Sequence, residues 1–140
     1  MTRSSSATLV LLAGMAAAAC SSDGGGSQAA PTSPAVCSSV EDLQASVADL
    51  RDAEPSAEGL AALQEDIRAV GADVRAVADD ATDEYATQVD RLETDFAAVQ
   101  SAAGSAQSTP TAETLSAVRS SVRTLADGVR SFADDVSSTC

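Results

Sequence analysis

The sequence predicts an all-α fold: an elongated antiparallel coiled coil of three helices, short, long and medium, closed by a terminal disulfide. Three observations predict it. From Ser38 onward, apolar residues recur at alternating spacings of three and four, which places one buried stripe along each helix. Proline and glycine fall at a few points that read as helix ends. Two cysteines, Cys37 and Cys140, frame the periodic region.

The first helix is expected over 38–53. Ser38 and Glu41 stand as Ser-x-x-Glu, a capping box. Val40, Leu43, Val47 and Leu50 form its seam, and Pro55 ends it, because the residue before a proline avoids helical geometry. Ser56 is the expected cap of the second helix. Leu60, Leu63, Ile67, Val70, Val74 and Val77 keep the heptad rhythm there. Steps of four through Ala81, Tyr85 and Val89 then form a stutter, and Leu92, Phe96 and Val99 resume the seam. No Gly or Pro lies between Gly71 and Gly104, so one continuous helix over 57–103 is preferred, with the turn at Gly104–Pro110. The alternative breaks this helix near Asp79–Glu84 and gives a four-helix up-down bundle. The last helix is expected over 110–139, with Thr109 as cap and Pro110 at the first helical position. Its seam is the most regular of the three: Leu115, Val118, Val122, Leu125, Val129, Phe132 and Val136.

Helix lengths test the disulfide. At a rise of about 1.5 Å per residue the three helices measure roughly 24, 70 and 45 Å. The first and third together match the second, so antiparallel packing brings Cys37 to Cys140. The four-helix alternative brings the same two ends together. A core of Leu, Val and Ala, with Tyr85, Phe96 and Phe132 its aromatics, buries little area, so the bridge matters more than in a large domain. A thin core also leaves homo-oligomerisation along an exposed part of the seam open.

Upstream of the helices, the chain divides at Cys20. Arg3 is the one charge before it, and Ala7–Ala19 is an apolar run of signal-peptide length, too short to span a bilayer. Residues 1–19 are thus expected to be an export signal. Residues 20–36, rich in Ser, Gly, Ala and Pro, read as a flexible tether, and 37–140 as the helical domain. Three cysteines leave an odd thiol in an exported protein. Pairing Cys37 with Cys140 leaves Cys20 to be explained.

Ala17-Ala18-Ala19-Cys20 resembles the lipobox of bacterial lipoproteins. That resemblance implies a diacylglyceryl group on the Cys20 thiol and cleavage before Cys20. Ala17 stands where the family usually has leucine, and the three alanines also satisfy the small-x-small rule of ordinary signal peptidase. Either cleavage predicts export. The framed "VCSSVEDL…SSTC" domain resembles small helical envelope and secreted proteins of actinobacteria, a likeness that implies no activity.

Composition narrows the chemistry. The chain has no histidine, which removes Ser-His and Cys-His nucleophile pairs and imidazole metal ligands. No P-loop or G-x-G-x-x-G occurs, and Gly24-Gly25-Gly26 lies in the tether. Cys37 and Cys140 form no C-x-x-C, so a structural bridge is expected and not a redox pair. The run DDATDE places Asp79, Asp80, Asp83 and Glu84 together. It is a weak candidate for a hard cation and reads better as a solvated acidic face, because the loop spacing and central glycine of an EF-hand are missing.

The formal net charge is −13; loss of Arg3 with the signal leaves 21 acids against seven arginines, or −14. Such a field opposes nucleic acid and anionic head groups. Membrane attachment must then come from acyl chains on Cys20. The expected function is a lipid-anchored, non-catalytic structural or interaction module on the outer face of the cell membrane, without cofactor, whose partner is an unidentified envelope protein. A secreted soluble coiled-coil binding protein and an envelope carrier of an apolar ligand or cation are the alternatives.

Overall fold

The computed structural model describes residues 34–140. The expected signal, the Cys20 boundary and most of the expected tether lie outside the described residues. Within them the chain is helical, with no strand: α1 (Ala35–Asp52), α2 (Leu60–Asp80), α3 (Ala86–Ser108) and α4 (Ala112–Val136). A single 3-10 turn, Asp83–Tyr85, leads into α3.

The predicted seams are the buried faces. Val40, Leu43, Val47 and Leu50 of α1 are buried, as are Leu60, Leu63, Ile67, Val70, Val74 and Val77 of α2. Leu92, Phe96 and Val99 of α3 join the same core, with Val118, Val122, Leu125, Val129, Phe132 and Val136 of α4. Leu115 and Val89 are only partly covered. Helix α1 packs on α2 and α4, and α3 packs on α2 and α4.

Helix ends depart from expectation in four places, each for a local reason. Helix α1 begins at Ala35, inside the expected tether, with Pro34 at its N-cap (φ −52°). The earlier start buries Val36 and Cys37. Ser38 therefore lies within the first turn, where its hydroxyl donates to the Ala35 carbonyl at 2.9 Å, and the Ser38–Glu41 capping box does not form. Before α2, Ser56 Oγ accepts the Gly59 N–H at 3.0 Å, so Ser56 secures the approach turn while Gly59 is the N-cap. Helix α3 runs through Gly104 to Ser108. Thr111, not Thr109, caps α4: its hydroxyl accepts from Thr114 N–H at 3.2 Å, and Thr114 Oγ1 accepts from Thr111 N–H at 3.0 Å.

The expected continuous helix over 57–103 is interrupted. Ala81 (ψ 141°) and Thr82 (ψ 166°) are extended, and the helix restarts through the 3-10 turn. The interruption lets Tyr85 turn inward, where its ring meets Phe132 edge-on at 5.8 Å between centroids. Edge-to-face contact suits the quadrupoles of the two rings. The Tyr85 hydroxyl is within 2.8 Å of Thr139 Oγ1, so the buried phenol keeps a hydrogen bond. Farther along, the Phe96 ring of α3 lies against Gly71 of α2. Twenty-five residues of unbroken helix would hold these two positions about 37 Å apart.

Candidate functional site

The two cysteines of the helical region are joined. Cys37 sits in the first turn of α1 and Cys140 follows the turn that ends α4; the Cα atoms are 5.7 Å apart, and the two residues are 103 positions apart in sequence. Cys37 is buried and Cys140 exposed. Backbone bonds from Thr139 N–H (2.8 Å) and Cys140 N–H (3.1 Å) to the Val136 carbonyl hold the last residues against the helix end. The Tyr85–Thr139 hydrogen bond fastens the same tail to the α2–α3 connection. Cys20, the expected lipidation site, lies outside the described residues.

The acidic run DDATDE does not lie on one helix as expected. Asp79 and Asp80 end α2, whereas Asp83 and Glu84 form the 3-10 turn, with the extended pair Ala81–Thr82 between. The i, i+4 carboxylate pairs of a continuous helix are thereby lost, and their mutual repulsion with them. Asp83 and Glu84 precede α3, where acids favour the positive end of the helix dipole; Asp79 and Asp80 occupy the disfavoured end of α2. One of the latter is compensated: the buried Ser39 hydroxyl of α1 bonds to the Asp80 carboxylate. Among the described residues no three His, Cys, Asp or Glu side chains are grouped to hold a metal ion.

A feature absent from the sequence reading lies beside the loop after α1. A cavity of about 300 Å³ is lined by Arg51 of α1, Arg119 and Arg123 of α4, and apolar side chains including Leu63 and Val118. Arg119 and Arg123 are one helical turn apart and share a face. Arg119 Nη2 donates to the Pro55 carbonyl at 3.4 Å, and Glu54 of the same loop stands on the rim. Arg51 is 68 positions from Arg119, and only the packing of α1 on α4 unites them. The one signal available in sequence was that Arg119 and Arg123 stand off the seam at a spacing of four.

Between α3 and α4, Asp95 Oδ2 is buried without a hydrogen-bond partner among the described residues; a Cβ placed on Gly128 would lie 3.0 Å from it. Among the described residues no helix is long and apolar enough to cross a membrane. Comparison with known proteins finds no matching family model, no matching curated protein and no matching solved structure.

Proposed function

We propose that the protein is an exported module of the cell envelope, held to the outer face of the membrane by diacylglyceryl on Cys20, with a structural or interaction role and no catalytic activity. The observation that carries this reading is the bridge between Cys37 and Cys140, which leaves Cys20 as the one cysteine outside it. That residue ends an apolar run at a small-residue boundary, where a lipidated thiol accounts for it and for the Ser/Gly-rich stretch that follows. A disulfide also fits an oxidising compartment outside the cytoplasm. We read the four helices as an up-down bundle in preference to the long-helix coiled coil. The short connections and the pairing of each helix with two neighbours support that arrangement. An acidic surface of this kind suits a soluble domain tethered near an envelope.

The test is the non-reducing intact mass of the protein recovered from native membranes and from the medium, alongside a Cys20→Ser variant. A membrane-bound species beginning at Cys20 and carrying acyl chains, with the variant lost from the membrane fraction, is the expected outcome. A lipid-free species found only in the medium overturns the anchor. It leaves the secreted soluble module, a reading that the tripeptide Ala17-Ala18-Ala19 also favours.

A further inference from the structure

We propose that the protein associates with copies of itself head to tail, the arginine-bearing groove between α1 and α4 of one copy seating on the aspartate-bearing groove between α1 and α2 of the next. The proposal stands on how charge is divided between these grooves and does not depend on how the protein is anchored.

The division follows from where each helix turns its flanks. Helix α1 packs on α2 and on α4, so it borders two grooves. Toward α4 it carries Arg51, and α4 brings Arg119, Arg123 and Arg130 to the same groove. The acid beside them is Glu54, at one end. Glu41 shares the flank of Gln44 and Arg51 and falls toward the other end. The flank of α1 that faces α2 is marked by Ser39, whose hydroxyl bonds across the groove to Asp80. Asp42 and Asp49 follow Ser39 by three and ten positions and share its flank, while Asp73 and Asp66 precede Asp80 by seven and fourteen and share the flank of Asp80. Among the described residues, four of the seven arginines thus stand on the α1–α4 groove and none on the α1–α2 groove. Arg68 and Arg75 lie on the side of α2 toward α3, and Arg91 on the side of α3 toward α4.

Spacing lets the two grooves match. Arg123 and Arg130 are seven positions apart, as are Asp66 and Asp73, Asp73 and Asp80, and Asp42 and Asp49. Seven residues of helix advance about 10.5 Å, so opposed charges recur at one interval on both surfaces. Guanidinium forks grip carboxylates in pairs. Arg130 pairs with Asp127 of its own helix at 3.7 Å, but on open surface, where a carboxylate of a second copy can replace it. A foreign acidic segment would answer the arginines and leave the aspartates unopposed, whereas a second copy answers both. Copies of net charge −13 repel as whole bodies. At physiological salt that repulsion is screened beyond about 8 Å, while side chains in contact stay within range. The grooves differ, so the contact joins unlike patches and propagates from copy to copy.

The experiment is sedimentation velocity of the protein at about 0.15 M salt, where the screening length is about 8 Å, with concentrations up to about 1 mM to reach weak affinities. Every sample carries Cys20→Ser, so acyl chains do not enter the comparison. Residues 1–33 are the same in all samples, and association through them would survive every charge substitution. The parent should associate reversibly as concentration rises. Arg123→Glu/Arg130→Glu should weaken association by at least about tenfold, and so should Asp66→Arg/Asp73→Arg. An equimolar mixture of these two variants should associate again, since each then offers the charge that the other lacks. Arg68→Glu/Arg75→Glu makes the same change of net charge as the first variant, at the same spacing on another groove, and should stay within about threefold of the parent. Arg123 and Arg130 are exposed and Asp66 and Asp73 half-buried, and circular dichroism checks that each variant keeps its helices. The proposal is overturned if the parent stays monomeric throughout, which leaves the arginine groove to an acidic segment of another protein. It is equally overturned if the first variant associates like the parent, if the Arg68/Arg75 variant loses as much, or if the mixture does not recover.

Discussion

Gly71 and Gly104 both lie inside helices, and their surroundings give them opposite meanings. A Cβ on Gly71 would sit 2.7 Å from Cζ and 3.0 Å from Cε1 of Phe96, a rigid ring in the core. Around Gly104 nothing lies within 4 Å of such a Cβ. Glycine costs a helix about 1 kcal/mol relative to alanine at either site. Gly104→Ala should therefore recover most of that and stabilise the protein by about 0.5–1 kcal/mol. Gly71→Ala gains the same propensity but must displace Phe96, and overpacking of this kind costs about 1–3 kcal/mol. A net loss of stability is expected. Urea denaturation of both variants decides the matter: equal stabilisation of the two would show that the helices do not approach closely at Gly71. In sequence Gly71 reads as a weak point in a helix and Gly104 as the start of a turn, because propensity is a local property and the Phe96 ring arrives from another element.

At the scale of the element, the apolar stripes were legible and the ends were not. A seam such as Val118, Val122, Leu125 and Val129 is written in the spacing of neighbours along one helix, so it needs no knowledge of what it packs on. Ends depend on competition between nearby caps. Ser38 heads a Ser-x-x-Glu pattern, yet α1 starts three residues earlier, because burial of Val36 and Cys37 outweighs the cap. Thr111 and Thr114 form the reciprocal bonds at α4 instead of Thr109. Substitution separates the two serine/threonine positions. Thr111→Ala should cost about 0.5–2 kcal/mol through the lost cap, while Ser38→Ala, which removes a solvent-exposed side-chain bond inside the helix, should change stability by less than about 0.5 kcal/mol. Thermal unfolding followed by far-ultraviolet circular dichroism measures both. An effect of Ser38→Ala as large as that of Thr111→Ala would restore Ser38 as the cap. The interruption at Ala81–Thr82 belongs to the same scale. Its site coincides with the stutter through Ala81 and Tyr85, where a continuous seam would have to drift around the helix. Burial of Tyr85 against Phe132 favours the break.

For the whole molecule, the bridge from Cys37 to Cys140 is the strongest single constraint on the described chain. It closes nearly all of it, with the two cysteines 103 positions apart in sequence. On the chain-entropy account a loop of that size adds about 4–5 kcal/mol by restricting the unfolded state. The core it supplements is built mainly of Leu, Val and Ala. The double variant Cys37→Ser/Cys140→Ser should lose up to that amount in denaturant unfolding, and reduction of the parent should reproduce the loss. If the variant and the parent unfold at the same denaturant concentration, the bridge is ornamental and the helices carry the fold unaided.

The sequence by itself determined which residues face inward, that the region is helical, and that two cysteines stand at its two ends. Each is a periodic or positional property, set by elementary geometry at 3.6 residues per turn. Only the tertiary structure decided that the chain leaves the helix at Ala81–Thr82, that Phe96 fills the space beside Gly71, and that Arg51 meets Arg119 and Arg123 around one cavity. Those outcomes depend on which helices become neighbours. Neighbours distant in sequence are selected by the burial of whole faces against one another, a collective free energy that no short stretch of residues contains.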